Sequence, residues 1–227
     1  LSVKKVNKHF GKFQALKELL ELLSRSWMFW IIAVTVYIYS GLPLIIISHY
    51  IGDYETGLFR AALLMAASLE LIFGSFNALL LPIFAKIHKN SSSKLWSVQF
   101  NLLKIYIIVG LLIGIFGFIS AKYITLFFLG PEFDGAIKIF EILVWGRVIV
   151  FIGQIYAIGI IVIRLDKEFM WASILGALIS VIINIAVIPI YGGIGAAWVI
   201  VITELLIHFS FFLIEYKHVN STQKVLF

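Results

Sequence analysis

The chain has 227 residues, 62% of them apolar and 13% charged, with a formal net charge of +6 and no cysteine. A water-soluble domain carries about 25% charged residues, so this composition excludes an ordinary soluble globule. The missing cysteines exclude disulfides and thiolate metal sites, and a mean hydropathy of +1.05 points to apolar surface that faces lipid.

Residues 1–26 come first and are basic. Within Phe13–Ser26, Leu16, Leu19, Leu20 and Leu23 repeat at i, i+3, i+4 and i+7, with Lys17, Glu18, Glu21 and Arg25 mostly off that stripe. The segment reads as cytoplasmic and amphipathic. It is either a helix lying on the membrane surface or the solvated extension of the first span.

A helix needs about 20 mostly apolar residues to cross the hydrocarbon core. Six segments qualify, at about 27–49, 58–84, 105–129, 137–163, 169–190 and 194–214. They are long and continuously apolar, unlike the short alternating strands of a membrane barrel. The expected fold is therefore all-α, a polytopic bundle of six transmembrane helices followed by a tail at 215–227. Pro82 and Pro189 are expected near helix ends and Pro131 in a connection. Pro43 sits inside the first span, where it should kink the helix and free a backbone carbonyl.

Loop cations set the orientation. Lys4, Lys5, Lys8, Lys12, Lys17, Arg25, Lys86, Lys89, Lys94, Lys104, Arg164, Lys167, Lys217 and Lys224 fall on one side. Against them stand at most Arg60, Lys122 and Lys138. This asymmetry places both ends in the cytoplasm. The basic residues act as topology signals, and they lack the aromatic interleaving of a nucleic-acid binder.

An ionisable group inside a span costs about 2.5–3.5 kcal/mol on insertion scales, so it faces protein or a water-filled cavity. Glu70, Gly74 and Asn77 share a face of span two, Arg147 and Gln154 a face of span four, and Glu204 and His208 form an i, i+4 pair in span six. Arg147 and Glu70 serve either as functional groups or as a buried pair that neutralises itself. Gly110, Gly114 and Gly117 in span three, and Gly176, Ser180 and Asn184 in span five, read as seams for close helix packing. Arg60, Lys122, Lys138 and Glu141 lie near the interfaces and can snorkel. No Walker A, HExxH or GxSxG motif is present, so no catalytic residue, metal ligand or cofactor is expected.

Four segments carry a family resemblance. They are Tyr50–Met65 (YIGDYETGLFRAALLM), Phe76–Ile87 (FNALLLPIFAKI), Leu126–Gly146 (LFFLGPEFDGAIKIFEILVWG) and Asn184–Glu204 (NIAVIPIYGGIGAAWVIVITE). In the last, Pro189 is expected to end a helix, Gly192 and Gly193 to turn the chain, and Gly195, Ala196 and Ala197 to start a closely packed helix. Together these segments resemble the Wzx-type polysaccharide or O-antigen flippases of the multidrug/oligosaccharidyl-lipid/polysaccharide exporter superfamily.

The resemblance implies one lobe, the C-terminal half, of a two-bundle transporter in the cytoplasmic membrane. Its substrate would be a polyprenyl-diphosphate-linked oligosaccharide, and its other partners membrane lipids and the missing N-terminal helical bundle of the same protein. On that reading Arg147 and Arg60 meet the diphosphate, Gln154 and Asn77 bond sugars, and Glu70, Glu204 and His208 bind coupling cations or protons. The alternative is a multidrug or cation exporter of the same superfamily. A membrane-embedded polymerase would carry a large outer loop, and the outer loops here are short.

Overall fold

A computed structural model describes the backbone of residues 12–225 and the side chains of residues 27–221, apart from 92 and 93. The described residues form five long helices: α1 (Lys12–Tyr50), α2 (Asp53–Asn90), α3 (Ser92–Leu129), α4 (Ala136–Val162) and α5 (Asp166–Val225). A single 3-10 turn, Pro131–Phe133, lies between α3 and α4. There is no strand among the described residues. All five helices are long and apolar enough to cross a membrane, and the chain is a multi-pass membrane protein.

Six separate spans are expected and five continuous helices are found. The difference lies in α5, whose 60 residues contain Gly192 at φ 57°, ψ −143°. A straight helix would hold Phe169 and Phe211 roughly 63 Å apart at 1.5 Å per residue. Their rings instead stack with centroids 4.5 Å apart, and Ile207 packs on Gly176. Two helical arms therefore fold back on each other at Gly192, a backbone conformation open to glycine and costly for a residue with a Cβ. The Glu55 carboxylate accepts the Gly193 N–H at 3.1 Å and holds this reversal against the start of α2.

Pro189 lies in the last turn of the first arm of α5, three residues before the reversal at Gly192, and so near a helix end as expected. Pro82, by contrast, sits two turns inside α2, which runs on to Asn90. Helices α2 and α3 extend well past the apolar segments and meet at Ser91, so the Lys-rich stretch expected as a loop is two helix ends. Lys86, Lys89, Lys94 and Lys104 favour water but do not oppose helix, since lysine has good helix propensity. Backbone from Lys12 joins the first span without a break. The side chains of the amphipathic stripe lie outside the described residues.

Helix α4 is the hub. It packs against α2, α3 and α5, while α1 lies on α5 and α2. In its most apolar stretch 61% of residues are buried, against 17% for α2, so α4 faces protein and α2 faces largely outward. The glycine seam of α3 does what its spacing suggests: ideal Cβ atoms on Gly110, Gly114 and Gly117 would fall 3.3, 2.9 and 3.0 Å from valine side chains of α4. Close approach of this kind substitutes for a hydrophobic drive between helices in lipid.

A second glycine seam joins α4 to the return arm of α5. Gly146 faces Val201, Gly153 faces the His208 ring, and Gly159 faces the Glu215 carboxylate. The partners advance along both helices together, so the two helices run parallel. This register places polar side chains of α5 against bare backbone of α4.

Candidate functional site

A cavity of about 430 Å³ opens between α1, α2, α4 and both arms of α5. That is within the ~300–1,000 Å³ range of small-ligand sites. Six of the seven residues singled out in the sequence line it: Glu70 and Asn77 from α2, Arg147 and Gln154 from α4, Glu204 and His208 from α5. The seventh, Arg60, does not line it. It is exposed and lies ten residues before Glu70, about 15 Å along α2.

The helical faces explain this convergence. Glu70, Gly74 and Asn77 recur at i, i+4 and i+7, so the inward side of α2 presents all three. Arg147 and Gln154 sit two turns apart on α4. The return arm of α5 aims Glu204 and His208 at the same space because Gly153 leaves room for the imidazole.

Arg147 Nη1 donates to Glu70 Oε1. The Arg147 side chain is 14% exposed and that of Glu70 50%. The cation is thus anchored in the bundle while its partner reaches outward. Deeper in, Tyr39 donates its hydroxyl to Glu204 Oε1 at 2.9 Å. His208 Nδ1 stands 2.9 Å from the Glu204 backbone carbonyl and 3.5 Å from Glu204 Oε2. A carbonyl oxygen only accepts, so Nδ1 carries a proton. Both Glu204 and His208 are buried.

Two features supply unused bonding capacity. Asn77 Oδ1 is buried without a hydrogen-bond partner among the described residues. Pro43 lacks the N–H that would bond the Tyr39 carbonyl four residues earlier, which opens the α1 ladder at the turn that carries Tyr39. Phe73, Phe151, Phe169 and Phe211 line the rest of the cavity. Among the described residues no group of three or more His, Asp or Glu side chains is placed to hold a metal ion.

Tyr39 and Ser173 also line the cavity and were not singled out in the sequence. A tyrosine or serine in an apolar span carries no insertion cost that would mark it. Gly153 shares that fate, because one glycine among seventeen shows its role only against the side chain it admits.

The arrangement is suited to binding and charge exchange. One guanidinium can exchange a carboxylate for another anion, and two acidic centres can take up positive charge.

No curated protein and no solved structure matches the chain. Residues 6–138 match the model of the family described as polysaccharide biosynthesis protein, a stretch that holds α2 with Glu70 and Asn77 but ends before Arg147. With more than half of its length inside that match, the chain belongs to the polysaccharide biosynthesis protein family.

Proposed function

We propose that the protein flips a polyprenyl-diphosphate-linked oligosaccharide across the cytoplasmic membrane by alternating access, as a transporter and without chemistry on the substrate. The observation that carries this reading is the Arg147–Glu70 pair in an intramembrane cavity of a polysaccharide biosynthesis protein. In the substrate-free state Glu70 neutralises Arg147. An arriving diphosphate presents more acceptor oxygens than one carboxylate and takes over the guanidinium, for which bidentate anion contacts are favourable. Glu70, half exposed, is then released and can accept a proton or cation.

Asn77 and Gln154 lie beside the pair and would hydrogen-bond the first sugars, while the lipid tail stays in the bilayer. Glu204, tied to Tyr39 and His208, is the second acidic centre for coupling. On this reading the two arms of α5 cross the membrane separately and give six crossings with both ends in the cytoplasm. The α1–α2 turn, the α3–α4 turn and Gly192 then share the outer face. The Leu58–Gly135 contact and the Glu55–Gly193 hydrogen bond link these turns and support that arrangement. The bundle would form one lobe of a two-lobed transporter.

The test measures lipid-linked oligosaccharides on each leaflet by mass spectrometry in cells lacking the gene. Intermediates held on the cytoplasmic leaflet, released by the wild-type gene but not by Arg147→Ala, are expected. Normal delivery to the outer leaflet without the gene would remove the flippase reading. A second reading, export of organic cations, is favoured by the two carboxylates and the phenylalanine lining. It predicts drug hypersensitivity of the same deletion strain and tolerance of Arg147→Ala.

A further inference from the structure

A second polar cluster lies outside the cavity, at the end of the bundle where α2 turns into α3. Glu215 of α5 is 1% exposed and Gln99 of α3 is 0% exposed. Gln99 Nε2 donates one N–H to the Ile155 carbonyl of α4 and the other to Glu215 Oε2, each at 3.2 Å. Gln99 Oε1 is buried without a partner among the described residues.

Glu215 makes no ion pair among the described residues. Gln99 faces it from α3, and the backbone of Gly159 and the Tyr156 ring face it from α4. Trp96 stacks beside Tyr156, Phe212 and Tyr216 at the rim. The charged and titratable residues nearest in sequence, Lys94 on α3 and Lys217 and His218 on α5, are exposed. A carboxylate buried among neutral partners is disfavoured in its charged form.

The hydrogen-bond inventory points the same way. The Gln99 amide cannot be reversed, because its nitrogen must face the Ile155 carbonyl. Its oxygen is therefore left as an acceptor without a donor among the described residues, on the same amide that already bonds Glu215. An ionised Glu215 has only acceptors to offer, whereas a neutral carboxylic acid has one O–H donor. The acid form completes a reciprocal amide–acid pair. A metal cation is a poorer fit: a Cβ on Gly159 would fall 2.7 Å from Glu215 Oε1, so α4 lies directly against the carboxylate.

We propose that Glu215 and Gln99 form a proton-operated latch that clamps the last turns of α5 to α3 and α4. In the closed state Glu215 is a carboxylic acid, its O–H donated to Gln99 Oε1. When this end of the bundle opens, water reaches the acid, the O–H bond breaks, and the proton leaves as hydronium. The carboxylate then resists returning to its dry site until it is protonated again. The latch follows from helix packing alone and stands or falls apart from the transport reading.

The chain has no cysteine, so spin labels can be attached at Ser97→Cys and Lys217→Cys, both exposed positions. The full-length protein is placed in lipid nanodiscs, and the label distance is measured by double electron–electron resonance at mildly acidic and mildly alkaline pH, with and without sodium. A short distance in acid that lengthens in alkali is expected for wild type. Glu215→Gln should hold the short distance at both pH values, and Gly159→Ala, which displaces both Gln99 and an intact Glu215, should hold the long one. A wild-type distance that ignores pH would overturn the latch. So would a Glu215→Gln response equal to wild type, or a change driven by sodium and not by pH. If Glu215→Gln does not fold, a wild-type response in Gly159→Ala overturns it equally.

Discussion

Two polar regions lie along α4, and they accommodate a carboxylate in an apolar surround by different means. At the cavity, Glu70 meets a guanidinium, and Glu204 meets a tyrosine hydroxyl and an imidazole. The space is large enough for a ligand, and the pairs are exchangeable. At the α3–α4–α5 end, Glu215 meets a neutral amide, bare glycine backbone and the Tyr156 ring, with no cation paired to it among the described residues. The first region can trade partners, whereas the second can trade only a proton. In both, a glycine of α4 makes the room, Gly153 for His208 and Gly159 for Glu215.

The largest expected effect breaks the cavity side. Arg147→Ala removes the one arginine or lysine among the described residues that line the cavity and leaves Glu70 without its partner. On the proposed transport reading the same guanidinium meets the diphosphate, and loss of one member of a close charge pair costs on the order of 2 kcal/mol or more, so substrate transfer to the outer leaflet should fall at least about 30-fold, while Arg147→Lys keeps part of it. Transfer equal to wild type in a folded Arg147→Ala protein would sink the assignment. Exchanging the pair, Arg147→Glu with Glu70→Arg, should restore folding without restoring transfer, because the anchored charge then has the wrong sign.

Next come the two glycines. Gly153→Ala and Gly159→Ala each force a Cβ into a side chain of α5, a form of overpacking that costs about 1–3 kcal/mol. Both should lower the thermal midpoint in detergent. Only Gly153→Ala should also impair transfer through the cavity, since it displaces His208. Equal effects of both on transfer would show that the two regions are not separable.

Tyr39→Phe deletes a single hydroxyl and its bond to Glu204, worth about 1 kcal/mol. A modest loss of stability with a changed pH dependence of transfer is expected. An unchanged pH profile would remove Tyr39 from the coupling group.

The smallest effect lies outside both regions. Arg164 adopts φ 61° after α4, with Leu165 N–H bonded to the Ile160 carbonyl at 3.0 Å and Arg164 N–H to the Ile161 carbonyl at 3.2 Å. This Schellman pattern favours glycine at the left-handed position, so Arg164→Gly should raise stability by up to about 1 kcal/mol. No gain in the thermal midpoint would mean that the arginine side chain compensates its strained backbone.

How legible the site was depends on what each residue costs in isolation. Glu70, Arg147, Glu204 and His208 stand out because a charge in a span needs a reason, and the structure gathers them. Arg60 stands out equally and is not gathered, because snorkelling distance to an interface is reason enough for it. Gln99 fell between the expected spans and Glu215 at the head of the expected tail. Hydropathy reports where lipid ends, whereas these helices continue beyond it, so neither residue was visible as buried.

The sequence by itself determined that the chain lives in a membrane, is helical, and belongs with polysaccharide-handling proteins. Each of these follows from local transfer energies or from short motifs such as the Pro189–Gly192–Gly193 turn. Only the tertiary structure decided which helix sits at the centre, how closely the two arms of α5 pack, and which polar groups meet. Those depend on the rotation and register of helices relative to each other. Register here is set by glycines of α3 and α4 closing on side chains far away in sequence, and no local pattern reports it.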